Sequence, residues 1–458
     1  MEHISFGTDG WRATLETFTE PRVRMVGQAV ADHLRAEGRE GTVAVGYDAR
    51  DTSRGFADAL AEVLSDNGFD VLVSERDCPT PVLAWTVRDR GLAGGLVVTA
   101  SHNPPEYNGV KFLPSAGAPA LPDVTDDLEA RLAEPTALPE DERGTVREDT
   151  FTTAYCQHAL AFADNPDVSG IRIAYDAMHG SGRGVTNDLL EAAGATVESL
   201  RTERDPEFGG TPPEPTAERL QSLVERVTEG GADLGFANDG DADRLAVVTP
   251  ERGYLDPNML YAVLYDYLLE SGEGPAVRTV STTFVVDRLA AAHGEEAVEV
   301  PVGFKWVAEA MGEHGALVGG EESGGFGITE HLRNKDGVLL ALVLAAAHAA
   351  RPIDERADAI EAEYGEIHQG RTSLDCPNER KAAVLGSLDG DLPAAVAGVA
   401  VADVGAKDGF KIFLEDGTWV LVRPSGTEPK LRVYAEATSS ERVEELLAAG
   451  RDLVEPRI

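Results

Sequence analysis

The stretch Gly95–Phe112, GLVVTASHNPPEYNGVKF, brings a serine, a histidine and a lysine into one short segment. Leu96-Val97-Val98 is apolar and reads as a buried strand, Thr99-Ala100 carry it to its end, and Pro104-Pro105 block continuation as a ladder or a helix. Ser101 is therefore expected in a loop at the carboxyl end of a strand, where open α/β sheets place their ligand chemistry. A nucleophilic serine needs a proton acceptor nearby, and His102 and Lys111 lie in the same stretch. A polar loop capping a helix uses the same residue types, so the weight falls on further sites downstream.

Asp239-Gly240-Asp241-Ala242-Asp243-Arg244 sets three carboxylates at alternate positions just after an apolar run. That spacing presents hard oxygen ligands suited to Mg²⁺. An EF-hand is excluded: counted from Asp239, the sixth position is Arg244 instead of Gly and the twelfth is Pro250 instead of Glu. Arg244 beside the cluster suits a phosphate. Glu321, Glu322 and Ser323 stand among glycines that allow close approach to a small ligand, and a carboxylate with a hydroxyl suits vicinal sugar hydroxyls. His331, Lys335 and Asp336-Gly337 follow before the apolar run 338–347. Arg423-Pro424-Ser425-Gly426-Thr427 combines a guanidinium, two hydroxyls and turn N–H groups, the makeup of a phosphate nest. Near the start, Phe6-Gly7-Thr8-Asp9-Gly10-Trp11-Arg12 is a glycine-punctuated turn presenting Arg12 as a phosphate or carboxylate clamp. Serine, carboxylate cluster, hydroxyl-reading loop and phosphate nest together describe phosphoryl transfer on a sugar phosphate.

The elements that must position these loops recur. Strands at 42–47 and 70–73 alternate with helical patterns at 23–36 and 54–67, the rhythm of a parallel sheet. A loose repeat then delivers one polar loop from the end of an equivalent strand three times: the serine loop, 238–244 and 319–325. Residues 133–149 are polar and acidic and read as a linker. Gly180-Ser181-Gly182-Arg183-Gly184 nearly matches a dinucleotide fingerprint, but Val185 stands where the third glycine belongs, so a tight strand-to-helix turn is expected. The final ~90 residues change character: a hairpin at 410–422, a strand at 431–435 and a helix at 440–453 form a separate α+β domain. The expected fold is three similar α/β domains with mixed or parallel sheets, plus that C-terminal domain, around a central cleft. Boundaries fall at 1–149, 150–250, 251–366 and 367–458.

Composition narrows the partners. Asp and Glu number 80 against 40 basic residues, a formal charge of −40, which repels nucleic acid and anionic membranes. Seven of the 40 basic residues are lysine. An acidic, lysine-poor chain resembles proteins of salt-rich cytoplasm, where screening relaxes self-repulsion; unfolding in molar potassium chloride with stability in its absence would contradict that. Cys78, Cys156 and Cys376 lack ligand spacing and fit a reducing compartment. Without a leader or an apolar run of ~18 residues, a cytoplasmic chain is expected.

The chain resembles the α-D-phosphohexomutase family over essentially its whole length. The carriers are Phe6-Gly7-Thr8-Asp9-Gly10, Thr99-Ala100-Ser101-His102-Asn103-Pro104, Asp239-Gly240-Asp241-Ala242-Asp243-Arg244, Gly320-Glu321-Glu322-Ser323-Gly324 and Arg423-Pro424-Ser425-Gly426-Thr427-Glu428-Pro429, in the family's order. The resemblance implies a four-domain isomerase that carries phosphoserine at Ser101 and binds Mg²⁺ through Ser101, Asp239, Asp241 and Asp243. It passes through a hexose 1,6-bisphosphate, which also serves as activator. Lys111 and Arg12 are implied acid/base groups, with His102 a further catalytic residue. Glu321, Ser323, Lys305, His331, Lys335 and Arg244 would contact substrate, and Arg423, Ser425, Gly426, Thr427 and Arg432 would hold the non-reacting phosphate. Many family members have His where this chain has Gly325, but Glu321-Glu322-Ser323 and the run 330–337 look most like phosphoglucomutases, so glucose 1-phosphate and 6-phosphate are the expected pair, with mannose phosphates next. The alternatives are a phosphoglucosamine mutase, a serine-nucleophile sugar phosphatase and a non-catalytic sugar-phosphate binder. Small-molecule sugar phosphates are the expected partners, and a monomer or homodimer the expected assembly.

Overall fold

The computed structural model describes residues 4–7, 9–388, 391–426 and 428–458. The chain packs as two compact bodies, Met1–Leu260 with Ser323–Asp354, and Tyr261–Glu322 with Glu355–Ile458.

The first body holds two sheets. In the first, the strands run in the order Trp11–Thr14, Tyr107–Pro114, Gly94–Val98, Thr42–Tyr47, Asp70–Ser74, Val146–Asp149. Gly94–Val98 is buried along its length and lies parallel to Thr42–Tyr47 but antiparallel to Tyr107–Pro114. Its near-continuous apolar run is what burial on both faces demands. The second sheet repeats the plan: Leu234–Asn238 lies parallel to Arg172–Asp176 and antiparallel to Leu245–Thr249. The serine loop and the Asp239–Arg244 loop thus join equivalent pairs of antiparallel neighbours. The sheets are mixed for this reason: each chemistry-bearing loop returns directly as a strand, so the parallel rhythm breaks there.

Two expectations change. Residues 146–149 belong to the sheet as its edge strand, pairing parallel with Asp70–Ser74, although no apolar alternation marks them. Thr145 donates from both N and Oγ1 to Asp70 Oδ1 (2.8 and 2.6 Å), so polar groups set this register. The strand Tyr107–Pro114 was hidden behind the prolines and carries Lys111. The 180–184 segment is the tight turn expected, between Arg172–Asp176 and the helix Thr186–Ala192.

The helix Gly337–Ala350 is apolar all round and almost wholly buried, as such a helix must be. Asp336 caps it, accepting from Val338 N and Leu339 N at 3.1 and 2.8 Å. At Gly337 a Cβ would stand 2.3 Å from Arg244 O, so glycine alone lets this helix start against the aspartate loop.

In the second body Ala276–Thr279 is flanked in parallel by Ala297–Val300 and Val318–Gly320. The C-terminal sheet is antiparallel, with Trp419–Pro424 between Phe410–Leu414 and Lys430–Ala437 and the helix Ser440–Val454 against it. Val280, Trp419, Leu421 and Tyr434 form a buried cluster joining the two layers. Among the described residues no single helix is long and apolar enough to cross a membrane.

Candidate active site

Ser101 follows its strand with φ at 51°, a left-handed conformation that costs a non-glycine residue about 1–2 kcal/mol. Ala242, in the equivalent aspartate loop, has φ at 55°. Both loops therefore bend where the sheet ends, and they meet. Ser101 Oγ donates to Asp239 Oδ2 at 2.6 Å and lies 3.2 Å from His102 Nδ1. A Cβ on Gly240 would stand 2.5 Å from Ser101 O, so the aspartate loop approaches the serine loop at backbone distance. The turn at 180–184 closes the far side, with Ser181 N donating to Gly240 O at 3.0 Å.

The three carboxylates are fully buried, with one oxygen from each lying within 4.8 Å of the others. Burial and the charges of Asp241 and Asp243 push the Asp239 carboxyl well above the usual range. Burial opposes ionisation of Asp241 too, but Lys111 and a 2.6 Å hydrogen bond from Thr80 Oγ1 outweigh it and hold its carboxyl low. Asp241 Oδ1 and Asp243 Oδ1 are buried with no hydrogen-bond partner. Two unpaired carboxylate oxygens out of water are costly unless a cation meets them. The donor set is all oxygen, compact and anionic, and fits a hard divalent cation.

Two lysines border the cluster. Lys111 Nζ reaches Asp241 Oδ2 and Asp243 Oδ2 at 2.9 Å and Asp9 Oδ2 at 2.8 Å. Lys335 Nζ reaches Asp243 Oδ2 at 2.8 Å and Asp9 Oδ2 at 3.3 Å. Burial alone would discharge both, but the surrounding aspartates reverse it and raise them, so both stay cationic. Arg12 donates to Asn103 Oδ1 at 3.3 Å and Asp9 Oδ2 at 3.2 Å. His102 is driven the other way: the charge of Arg244, then burial, then Arg12 hold it well below the usual imidazole value. At neutral pH it is an uncharged imidazole beside Ser101. Arg244 N donates to Asp239 Oδ1 at 3.1 Å.

His331 stands apart from a substrate role. Its ring is fully buried, with Nε2 2.8 Å from Asp336 Oδ2 and Nδ1 2.9 Å from His158 Nε2, and it stacks on His158. Both ring nitrogens are committed within the protein, which ties the segment before Lys335 to the core.

In the second body Glu321 Oε1 accepts from Gly303 N at 3.1 Å, and Glu322 Oε2 accepts from Thr279 Oγ1 at 3.0 Å. Lys305 lies 5.7 Å from the Trp306 ring centroid, on the helix Phe304–His314 that opens at Gly303. Ser323, which belongs to the first body, is exposed. Arg423 Nε donates to Asp408 Oδ2 and Arg432 Nη2 to Glu428 Oε2, each at 2.9 Å. Buried Lys381 donates to Ser425 O and Glu428 O at 2.7 and 2.5 Å. The turn is closed further by Ser425 N donating to Lys430 O at 2.9 Å and Glu428 N donating to Ser425 Oγ at 3.2 Å. Gly426 is exposed, and Thr427 lies outside the described residues.

Sequence reasoning missed Asp9, Thr80 and Lys381. Asp9 sits inside a quoted motif and was overshadowed by Arg12, whereas Thr80 and Lys381 carry no local signal.

Comparison with known proteins gives the family. The phosphoglucomutase/phosphomannomutase alpha/beta/alpha domains I, II and III match residues 3–138, 153–253 and 256–364, and the C-terminal domain matches 376–453. A "Probable phosphoglucosamine mutase" of Methanopyrus kandleri is 36% identical, over 98% of this chain and 97% of its own. A "Phosphoglucomutase/phosphomannomutase" of Thermococcus kodakarensis is 32% identical, over 98% of each chain. The fold of a phosphoglucomutase/phosphomannomutase family protein from Burkholderia thailandensis superimposes with a TM-score of 0.86, at 24% identity, over 100% of this chain and 98% of that one. The chain belongs to the phosphoglucomutase/phosphomannomutase family of phosphohexomutases, isomerases that transfer phosphate intramolecularly.

Proposed function

We propose that the protein interconverts glucose 1-phosphate and glucose 6-phosphate, accepting mannose phosphates less well, through phosphoserine at Ser101. The observation that supports it most is Ser101 Oγ held 2.6 Å from Asp239 in a buried aspartate cluster where Asp241 Oδ1 and Asp243 Oδ1 are unpaired. Asp239, Asp241 and Asp243 would hold Mg²⁺, which when bound stabilises charge on a transferring phosphoryl group.

A sugar hydroxyl attacks the phosphorus carried on Ser101. The new P–O bond to the sugar forms as the bond to Ser101 Oγ breaks, and the hydroxyl proton passes to a base, giving a hexose 1,6-bisphosphate. His102, with Nδ1 3.2 Å from Ser101 Oγ, is the group placed to exchange a proton there. Lys111 and Arg12, beside the cluster and the serine loop, take the acid/base roles, and Lys335 offsets charge on the phosphoryl oxygens. The bisphosphate then turns over and returns its other phosphoryl group to Ser101. Glu321 and Ser323 contact the sugar hydroxyls in either orientation, with Lys305 and Arg244 as further ligands. Arg423, Ser425, Gly426, Thr427 and Arg432 hold the phosphate that does not react.

The Methanopyrus relative supports a second reading, in which the sugar is glucosamine phosphate. Initial rates on glucose, mannose and glucosamine 1-phosphates, with Mg²⁺, molar potassium chloride and a trace of the matching bisphosphate, decide between them. Preference for glucose over glucosamine is expected. The reverse order would overturn the sugar assignment and leave the phosphoserine chemistry standing.

A further inference from the structure

Arg50 takes no part in the chemistry above, yet all five of its guanidinium N–H donors are engaged. Nε donates to Asp48 Oδ2 at 3.0 Å. Nη1 donates to Pro104 O and Tyr107 O at 2.6 and 3.0 Å, and Nη2 to Ser101 O and Asn103 O at 3.1 and 2.6 Å. The side chain is 2% exposed, and the Phe208 ring centroid lies 5.0 Å from its central carbon. Four of the five acceptors are backbone carbonyls of one short loop, 101–107.

Asp48 completes the arrangement. Its carboxylate accepts from Arg50 N, Ser53 Oγ and Thr99 Oγ1 at 3.1, 2.6 and 2.8 Å, and Thr99 Oγ1 in turn accepts from Ser101 N at 2.8 Å. The amide and the carbonyl of Ser101 are therefore both held, directly or through one residue, by the Asp48–Arg50 pair. The prolines deny this loop any regular ladder, so its inward carbonyls need a donor from outside it. A planar fork can meet four carbonyls and a carboxylate together. A lysine, with three donors on one point, cannot.

We propose that Arg50 is a positioning residue for phosphoryl transfer, the template around which the serine loop closes so that Ser101, in its left-handed conformation, presents Oγ to Asp239. This rests on the reading of Ser101 as the phosphoryl carrier. The loop's geometry is then set from beneath, by a cation that never touches substrate, and the Asn103 side chain delivers the same order to Arg12.

The test compares wild type, Arg50→Lys and Arg50→Gln as full chains in molar potassium chloride. The readouts are kcat, KM for glucose 1-phosphate, and Ser101 phosphorylation by mass spectrometry after incubation with glucose 1,6-bisphosphate. A misplaced nucleophile predicts a kcat lowered about 100-fold with KM changed less than about threefold, lower Ser101 phosphorylation, and no rescue by lysine. Folded variants with wild-type kcat and phosphorylation, or with the loss confined to KM, would overturn the proposal. Should neither variant fold, Asp48→Asn keeps the four carbonyl contacts and predicts a smaller fall, about tenfold, again in kcat; an unchanged kcat there overturns it equally. Wild-type enzyme that turns over without phosphate on Ser101 would instead refute the phosphoserine reading itself.

Discussion

The serine loop and the C-terminal turn at 423–428 are both bent around a buried cation, but to different depths. Arg50 takes four carbonyls of the serine loop, and Ser101 is itself 1% exposed. Lys381 takes two carbonyls of the C-terminal turn, whose flanking Arg423 and Arg432 are paired with Asp408 and Glu428. The first arrangement has its electrostatics in place before substrate arrives. In the second, the phosphate of the proposed function would compete with carboxylates for the same guanidinium groups. Preorganisation belongs where bonds change, and exchangeable pairing belongs where a ligand must be bound and released.

That contrast can be broken first at Ser101. Ser101→Ala is expected to lower kcat by about 10⁴-fold while leaving sugar-phosphate affinity by calorimetry within threefold. Activity near wild type would remove the covalent carrier. Asp243→Asn should cost about 10³-fold in kcat and weaken Mg²⁺ or Mn²⁺ binding measured by calorimetry, because the site loses one of three anionic ligands. Unaltered cation affinity would separate the cluster from the metal. Lys381→Met sharpens the other side: KM should rise about tenfold with kcat nearly constant, since it loosens a turn that binds without reacting. A loss in kcat alone would erase the distinction between the two loops.

The smallest effect concerns a second buried cation of the C-terminal sheet. Lys411 Nζ donates to Val280 O and Glu299 Oε2 at 2.6 and 2.8 Å and lies 4.3 Å from the centroids of both the Phe284 and Trp419 rings. Burial, reinforced by Arg278, lowers it to about 8 from an ordinary 10.5. Between those values the unfolded chain binds more protons than the folded one, so stability rises with pH, at most by about 1.4 kcal/mol per pH unit. The melting temperature of wild type relative to Lys411→Met should therefore climb from pH 8 to pH 10. A difference independent of pH would show that Lys411 titrates as an ordinary lysine. Four of the seven lysines, at 111, 335, 381 and 411, are buried, so the few this acidic chain keeps are concentrated where a charge is spent on internal contacts.

Much was readable from the amino-acid order. Ser101, the aspartate triad and the C-terminal turn each lie within a few consecutive residues, and strand-end loops rich in glycine, proline and carboxylate announce themselves locally. The repeated strand-then-loop order is likewise a linear property, and it led to three α/β units with a distinct C-terminal domain. What resisted such reading depends on residues far apart in the chain. Thr80 and Asp241 are 161 positions apart, and Lys335 and Asp9 are 326 apart. That His331 is sealed in the core, and which groups Lys111 and Arg50 contact, were decided by neighbours from other elements. Residue type and spacing determined which chemistry was available. Only tertiary packing, by burying charges and choosing their partners, determined which groups stay protonated, which are sealed into the core, and which hold the others in place.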